Sequence, residues 1–321
     1  MPRLHSLLVS QDGELVLERY FNGKDASDIA NVKSVSKSIV SALVGIAIEE
    51  GYIQSLRQPI ADYFGERLAE PADAPKRAIT IEHLLTMQSG LETTSNRNYG
   101  AWVVSPDWVE FALRQPLERP PGTRMVYSTG NTHLLSAILT QATGRSTLEY
   151  ARDVLAEPLG FRLAPWPRGP RGIYFGGNDM ELTPRQMAAF GELYLNDGRA
   201  NGQQIVPEAW VEASLRPHAE STRERDRYYG YGWWIRESSG LRTPYAWGYG
   251  GQFIILVPEL DAVVVATSAS TPDTERRSHR SRLHRIIERQ VIEPLAAAAG
   301  ITLTRTAAPP LRDALAPAES L

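Results

Sequence analysis

The spacing of apolar residues changes period twice along the chain. In LHSLLVSQDGELVLERYF, residues 4–21, two apolar-rich runs flank Asp12-Gly13, which predicts two strands joined by a tight hairpin. From Ile39 the step becomes three and four: Ile39, Val40, Leu43, Val44, Ala47 and Ile48 predict a largely buried helix. Gly51 ends it as a C-cap. From about residue 53 to 225 the pattern is helical and loop-rich, punctuated by prolines from Pro59 to Pro158. Within it, THLLSAILTQATG (132–144) and PRQMAAFGELYLNDG (184–198) have helical spacing and glycine stops. Strands return at YYGYGWWI (228–235), GQFIILVP (251–258) and AVVVATSA (262–269). A last helix over about 275–293 places Leu283, Ile286, Ile287 and Val291 on one face.

Strands at both ends and helices between them predict an α+β fold. Its antiparallel sheet is built from residues 1–52 and 226–297, and a mainly helical lobe from 53–225 is inserted between them. A cleft between two such lobes is a natural substrate site. Residues 298–321, rich in Ala and Pro and without periodicity, predict a disordered or loosely docked tail.

Composition narrows the function. The 321 residues, 42% of them hydrophobic, bury a sizeable core as one large or two intermixed domains. A net charge of −3 argues against a nucleic-acid partner, and the arginines of the last helix read as a solvated face. No cysteine is present, so there are no disulfides and no thiolate chemistry. The first residues lack an apolar signal core and no run approaches eighteen apolar residues, so no membrane insertion is expected. As written the chain is expected to be cytoplasmic; an additional upstream segment would make it periplasmic or secreted. The six histidines have no zinc-type spacing, and no cofactor is expected. Neither a G-x-S-x-G elbow nor a phosphate-binding glycine loop occurs, which sets aside most hydrolase designs.

The stretch NVKSVSKSIVSALVGIAIEEG (31–51) retains one. Ser34 and Lys37 are three apart at the head of the buried helix, on one helical face. A lysine whose pKa is lowered can take a serine's proton, and the first helical turn favours developing negative charge. The competing reading is a polar helix start with a solvated lysine. Lysine is scarce: Lys24, Lys33, Lys37 and Lys76 are all there is.

With SVSK, the order of Tyr127-Ser128-Thr129 after PPGT (120–123) and then AWGYGGQ (246–252) resembles the serine β-lactamase and penicillin-binding-protein superfamily. It is most similar in style to class C β-lactamase-like hydrolases of the 6-aminohexanoate-dimer (nylon oligomer) type. HLLTMQSGL (83–91), ELTPRQMAAFGELYLNDG (181–198) and YGYGWW (229–234) extend the likeness over nearly all of the chain to about Val291. The resemblance implies a β-lactamase/DD-peptidase-like fold and acyl transfer, with Ser34 as nucleophile, Lys37 as its base and Tyr127 as proton relay. The backbone N–H groups of Ser34 and Tyr249 are the implied oxyanion donors, with Gly248, Trp247, Thr129 and Tyr99 around the substrate. Trp102, in the same polar loop as Tyr99, is a second candidate for the rim against the commoner reading of both as surface-loop aromatics, and at most one of Trp233 and Trp234 faces the cleft.

Two departures bear on the substrate. Thr129 stands where the family commonly has asparagine, and Ala246-Trp247-Gly248 stands where it has Lys-Thr-Gly. An aromatic in place of a cation implies an uncharged ester or linear amide as the small-molecule partner, in preference to a carboxylate-bearing β-lactam. β-Lactamase or D-Ala-D-Ala peptidase activity, acyl transfer to another acceptor, and a non-catalytic sensor or scaffold are the alternatives. The oligomeric state stays open.

Overall fold

The computed structural model describes residues 1–222, 224–272 and 274–303. The predicted hairpin is present: β1 (Leu4–Gln11) and β2 (Glu14–Tyr20) are joined by Asp12 and Gly13, both with positive φ as a two-residue turn requires. Two short pairs follow. β3 (Ala30–Asn31) pairs with β4 (Glu181–Leu182), and β5 (Arg199–Ala200) with β6 (Gln203–Gln204). The remaining strands are β7 (Ala219–Glu220), β8 (Arg227–Tyr229), β9 (Trp234–Ser238), β10 (Leu241–Gly248), β11 (Gln252–Val257) and β12 (Ala262–Ser268). With β1 and β2 they form one eight-stranded sheet in the order β2-β1-β12-β11-β10-β9-β8-β7, antiparallel throughout. Chain ends thus meet: β1 of the first hairpin pairs with β12 of the last.

The central strands are continuously apolar because both faces of the sheet are covered. Ile254, Leu256, Val263 and Val265 face one core, which holds the buried helix α1 (Ser36–Glu49) and α3 (Pro184–Leu195). Their neighbours Phe253, Ile255, Val257 and Val264 face a second core, closed by Leu283 and Ile287 of α4 (Arg276–Ile287) and by Val291. A further long helix, α2 (Thr129–Thr143), packs beside α1 and ends at Gly144 in the left-handed conformation. Among the described residues no helix is long and apolar enough to cross a membrane.

One expectation is corrected here. YYGYGWWI is not one strand: Gly230 and Gly232 break it, and the chain turns back before Trp234. A β-carbon on Gly230 would lie 2.0 Å from the Ser214 carbonyl, so the break is a close approach of backbones. The tail expectation falls largely on 304–321, outside the described residues. Its first part is docked, since Ile301 and Leu303 pack on the second core.

Candidate active site

Ser34 lies in a 3₁₀ turn, Lys33–Val35, that leads directly into α1. The turn is stitched to the segment 177–182 opposite it. The Val32 amide donates to the Met180 carbonyl (2.9 Å), and the Met180 amide donates to Ser36 Oγ (3.1 Å). Ser36 Oγ in turn donates to the Lys33 carbonyl (2.6 Å). The Val32 amide is one of the donors that a helix start otherwise leaves to water.

Lys37 points from the first turn of α1 into the protein and is 1% exposed. Its Nζ lies 3.0 Å from Ser34 Oγ and donates to the Gly177 carbonyl at 2.5 Å. Burial lowers its pKa from 10.5 to about 7, opposed only by the negative charge of Asp179. A neutral amine has two N–H groups and one lone pair. The Gly177 carbonyl can only accept, so it takes an N–H and leaves the lone pair free for the Ser34 hydroxyl. The solvated-lysine reading is thereby excluded.

Tyr127 completes the group. The Lys37 amine sits 5.0 Å from its ring centroid, and its phenol interacts with Ser34. The ring is held by a stacked Trp234 (5.5 Å) and an edge-on Tyr229 (6.1 Å). Burial pushes the phenol pKa far up, so it stays protonated at neutral pH. Thr129 opens α2 and is zipped to a matching hydroxyl run: Ser95 Oγ is 2.9 Å from Thr129 Oγ1 and accepts from the Thr129 amide. Thr93 Oγ1 donates to the Tyr127 carbonyl, and the Thr94 amide to Ser128 Oγ.

Ser34, Tyr127, Thr129 and Ser95 line a cleft of about 690 Å³, within the range of small-molecule sites. Tyr99, Trp247 and Tyr249 line it, as does Trp234, whereas Trp233 is buried against Phe190 and Tyr194. Tyr99 Oη accepts from Asn178 Nδ2 (2.9 Å). Gly248 ends β10 where that strand crosses the Ser34 turn. A β-carbon there would lie 2.1 Å from the Val32 carbonyl, so only glycine allows the strand this close. Trp102 is not on the rim. It is fully buried among Trp108, His133 and Phe175, with its indole N–H on the Trp108 carbonyl.

The cleft is also more basic than the sequence implies. Arg227 of β8 and Arg276, Arg277 and Arg280 of α4 line it. Arg276 lies over the Tyr249 ring at 4.1 Å and Arg280 over the Trp247 ring at 4.9 Å. Glu224 bridges Arg227 (2.6 Å) and approaches Arg280 (3.7 Å). The expectation that α4 presents only a solvated face is therefore corrected, and so is the absence of a cation near Trp247. Arg236 and Arg242 do not supply it, being engaged by His284 and by the Leu215 carbonyl. No local spacing marks the four arginines as a group; the sheet's strand order brings β8 beside α4. Asn178 and Asp179 follow a Gly-Gly pair, a weak signal of close backbone approach.

A sheet covered on both faces, with a serine–lysine–tyrosine group at the edge of a helical layer, defines the class. Residues 5–289 match the family model described as Beta-lactamase, and the chain belongs to the β-lactamase family. A 6-aminohexanoate-dimer hydrolase of Paenarthrobacter ureafaciens is 27% identical over 302 residues, 85% of this chain and 74% of that protein. Among solved structures, the octameric penicillin-binding protein homologue of Pyrococcus abyssi superposes with a TM-score of 0.71 at 20% identity. It covers 95% of this chain and 75% of its own. A class C β-lactamase of Rhodobacter sphaeroides gives 0.66 at 16% identity over 89% and 94%.

Proposed function

We propose that this protein is a serine hydrolase that cleaves a carboxylic ester or a linear amide through an acyl-enzyme on Ser34. The observation that carries the reading is the buried Lys37 amine at 3.0 Å from Ser34 Oγ, with its pKa brought near neutrality. Ser34 attacks the substrate carbonyl while Lys37 accepts its proton. Tyr127, uncharged and beside Ser34, passes a proton to the departing oxygen or nitrogen. The amides of Ser34 and Tyr249 receive the carbonyl oxygen as it gains charge. Water then attacks the acyl-enzyme, with Lys37 and Tyr127 reversing their proton transfers. The curated relative supports hydrolysis, and a dimer of 6-aminohexanoate is itself a linear amide.

Ester, amide and β-lactam probes read by intact-mass spectrometry test this directly. One adduct is expected, on the peptide holding SVSK, and it disappears in Ser34→Ala. Adducts that persist in Ser34→Ala refute the assignment, and no adduct with any probe favours a non-catalytic binder. The acylation rate should also rise with pH through about 7, because a protonated Lys37 cannot take the Ser34 proton. A flat profile from pH 5 to 9 would remove Lys37 from that role.

The arginine wall favours a refinement over the uncharged substrate that the sequence implies. An acidic group on the substrate finds Arg276 and Arg277, neither of which holds an ion pair among the described residues. Half-esters of dicarboxylic acids should then be better substrates than neutral esters of equal length. Arg276→Ala should lower kcat/KM for the half-ester by about tenfold and leave the neutral ester nearly unchanged. Equal losses for both esters would count against the refinement. Carboxylate-bearing β-lactams lose their electrostatic disadvantage as well, and the comparison includes a chromogenic cephalosporin for that reason.

A further inference from the structure

The residue before the nucleophile is in an unusual state. Lys33 has φ of +52°, a left-handed backbone that favours glycine and that a long side chain adopts at a cost. Facing it across the cleft floor, Asp179 is left-handed too, with φ of +64°. Their side chains are the two ends of one ion pair: Lys33 Nζ lies 2.7 Å from Asp179 Oδ1, and both are about a fifth exposed. Asn31 joins the same group. Its Oδ1 accepts from the Lys33 amide (3.0 Å), and its Nδ2 donates to Asp179 Oδ1 (2.9 Å). Strain of this kind persists only where surroundings over-determine it, and it collects at functional sites.

We propose that Asn31, Lys33 and Asp179 form a positioning clamp that aims Ser34 and, through the same segment, holds the amine of Lys37. Geometry carries the inference. The clamp fixes one end of the Lys33–Val35 turn, and the Ser36 hydroxyl, bonded to Lys33 and Met180, fixes the other. Two residues before Asp179, the Gly177 carbonyl receives the Lys37 N–H. Nucleophile and base are thereby referenced to one strap, 177–180. Lys33 lines the cleft but its charge is already matched by Asp179, so it is not set to serve as a substrate anchor. Around Lys37 stand the Ser34 and Tyr127 hydroxyls, the Gly177 carbonyl and Thr129, all uncharged, and Asp179 is the charged group that raises its pKa.

The inference rests on Ser34 being the nucleophile, and the experiment separates the two. Labelling of the wild-type chain by a fluorophosphonate tests Ser34; ratios among variants test the clamp. Lys33→Met keeps a side chain that resists the left-handed backbone and removes the bridge. It should lower kcat on a neutral ester, and the labelling rate, by about tenfold or more, with KM within about twofold. Lys33→Gly adopts that backbone without a clamp and should recover several-fold of the lost rate. Asp179→Asn keeps an oxygen to accept both hydrogen bonds and is at ease with positive φ, but it removes the charge. Its kcat should stay within a few-fold, while the acid limb of the rate profile moves to lower pH, because the group favouring protonated Lys37 is gone. Equal rates for Lys33→Met and Lys33→Gly, a loss confined to KM, or an unmoved acid limb in Asp179→Asn each overturn the clamp. Thermal melts accompany every variant, and if Lys33→Met does not fold, the other two still decide.

Discussion

Alanine at Ser34 should lower turnover by roughly a hundred-thousandfold and change stability by less than about 1 kcal/mol, since one half-buried hydroxyl is removed. Methionine at Lys37 should cost comparable activity, and the double variant little more than either, because in the proposed mechanism the two side chains perform one proton transfer. Stability separates them. Folded Lys37 sheds its proton near pH 7 and the unfolded chain near 10.5, so the unfolded state binds more protons between those values. The wild-type chain therefore gains stability as pH rises across that window. Below about pH 7 the full penalty of the buried ammonium applies, on the order of a few kcal/mol, partly offset by its bond to the Gly177 carbonyl. Lys37→Met escapes that penalty. It should melt at or above the wild-type temperature at pH 6, with the difference narrowing toward pH 10. A variant that melts well below wild type at pH 6, by a margin constant with pH, would mean that Lys37 is not held neutral in the native protein.

Gly248→Ala should have the second-largest effect. The added methyl would sit 2.1 Å from the Val32 carbonyl and 3.1 Å from Lys33 Cβ. Neither neighbour is the far end of a flexible chain, so β10 or the Ser34 turn must move. Overpacking of this kind costs about 1–3 kcal/mol. The displacement falls between the proposed nucleophile and the proposed Tyr249 donor, where an error of about 1 Å is worth roughly a hundredfold in rate. Circular dichroism and a melt would show a folded, weakened protein with much reduced kcat. Activity within twofold of wild type would show that the strand and the turn need not be so close.

Much of this site was legible in the chain. Ser34 and Lys37 are three residues apart on a helical turn, so their meeting follows from helix geometry alone. The hairpin at Asp12-Gly13, the helices ending near Gly51 and Gly144, and the apolar β11 and β12 likewise follow from local spacing and turn chemistry. Tyr127 and Thr129 were found through the order of motifs, although their partners Thr93, Thr94 and Ser95 were not, because a hydroxyl-rich loop has no periodicity to mark it.

Charge was less legible. Arg227 and Arg280 are 53 positions apart with no local spacing to link them, yet both reach Glu224 at the cleft. The difference is physical. A period of two or 3.6 is a property of neighbouring residues, so the sequence by itself determined the first hairpin, β11, β12, the buried helix and the Ser34–Lys37 pair. The lowered pKa of Lys37 depends on what excludes water around it, and the Lys33 side chain of the left-handed turn is paired with an aspartate 146 residues away. Those, with the arginine wall and the approach of Gly248 to Val32, were decided only by the tertiary structure, because burial and long-range contact exist only once the sheet has closed over both cores.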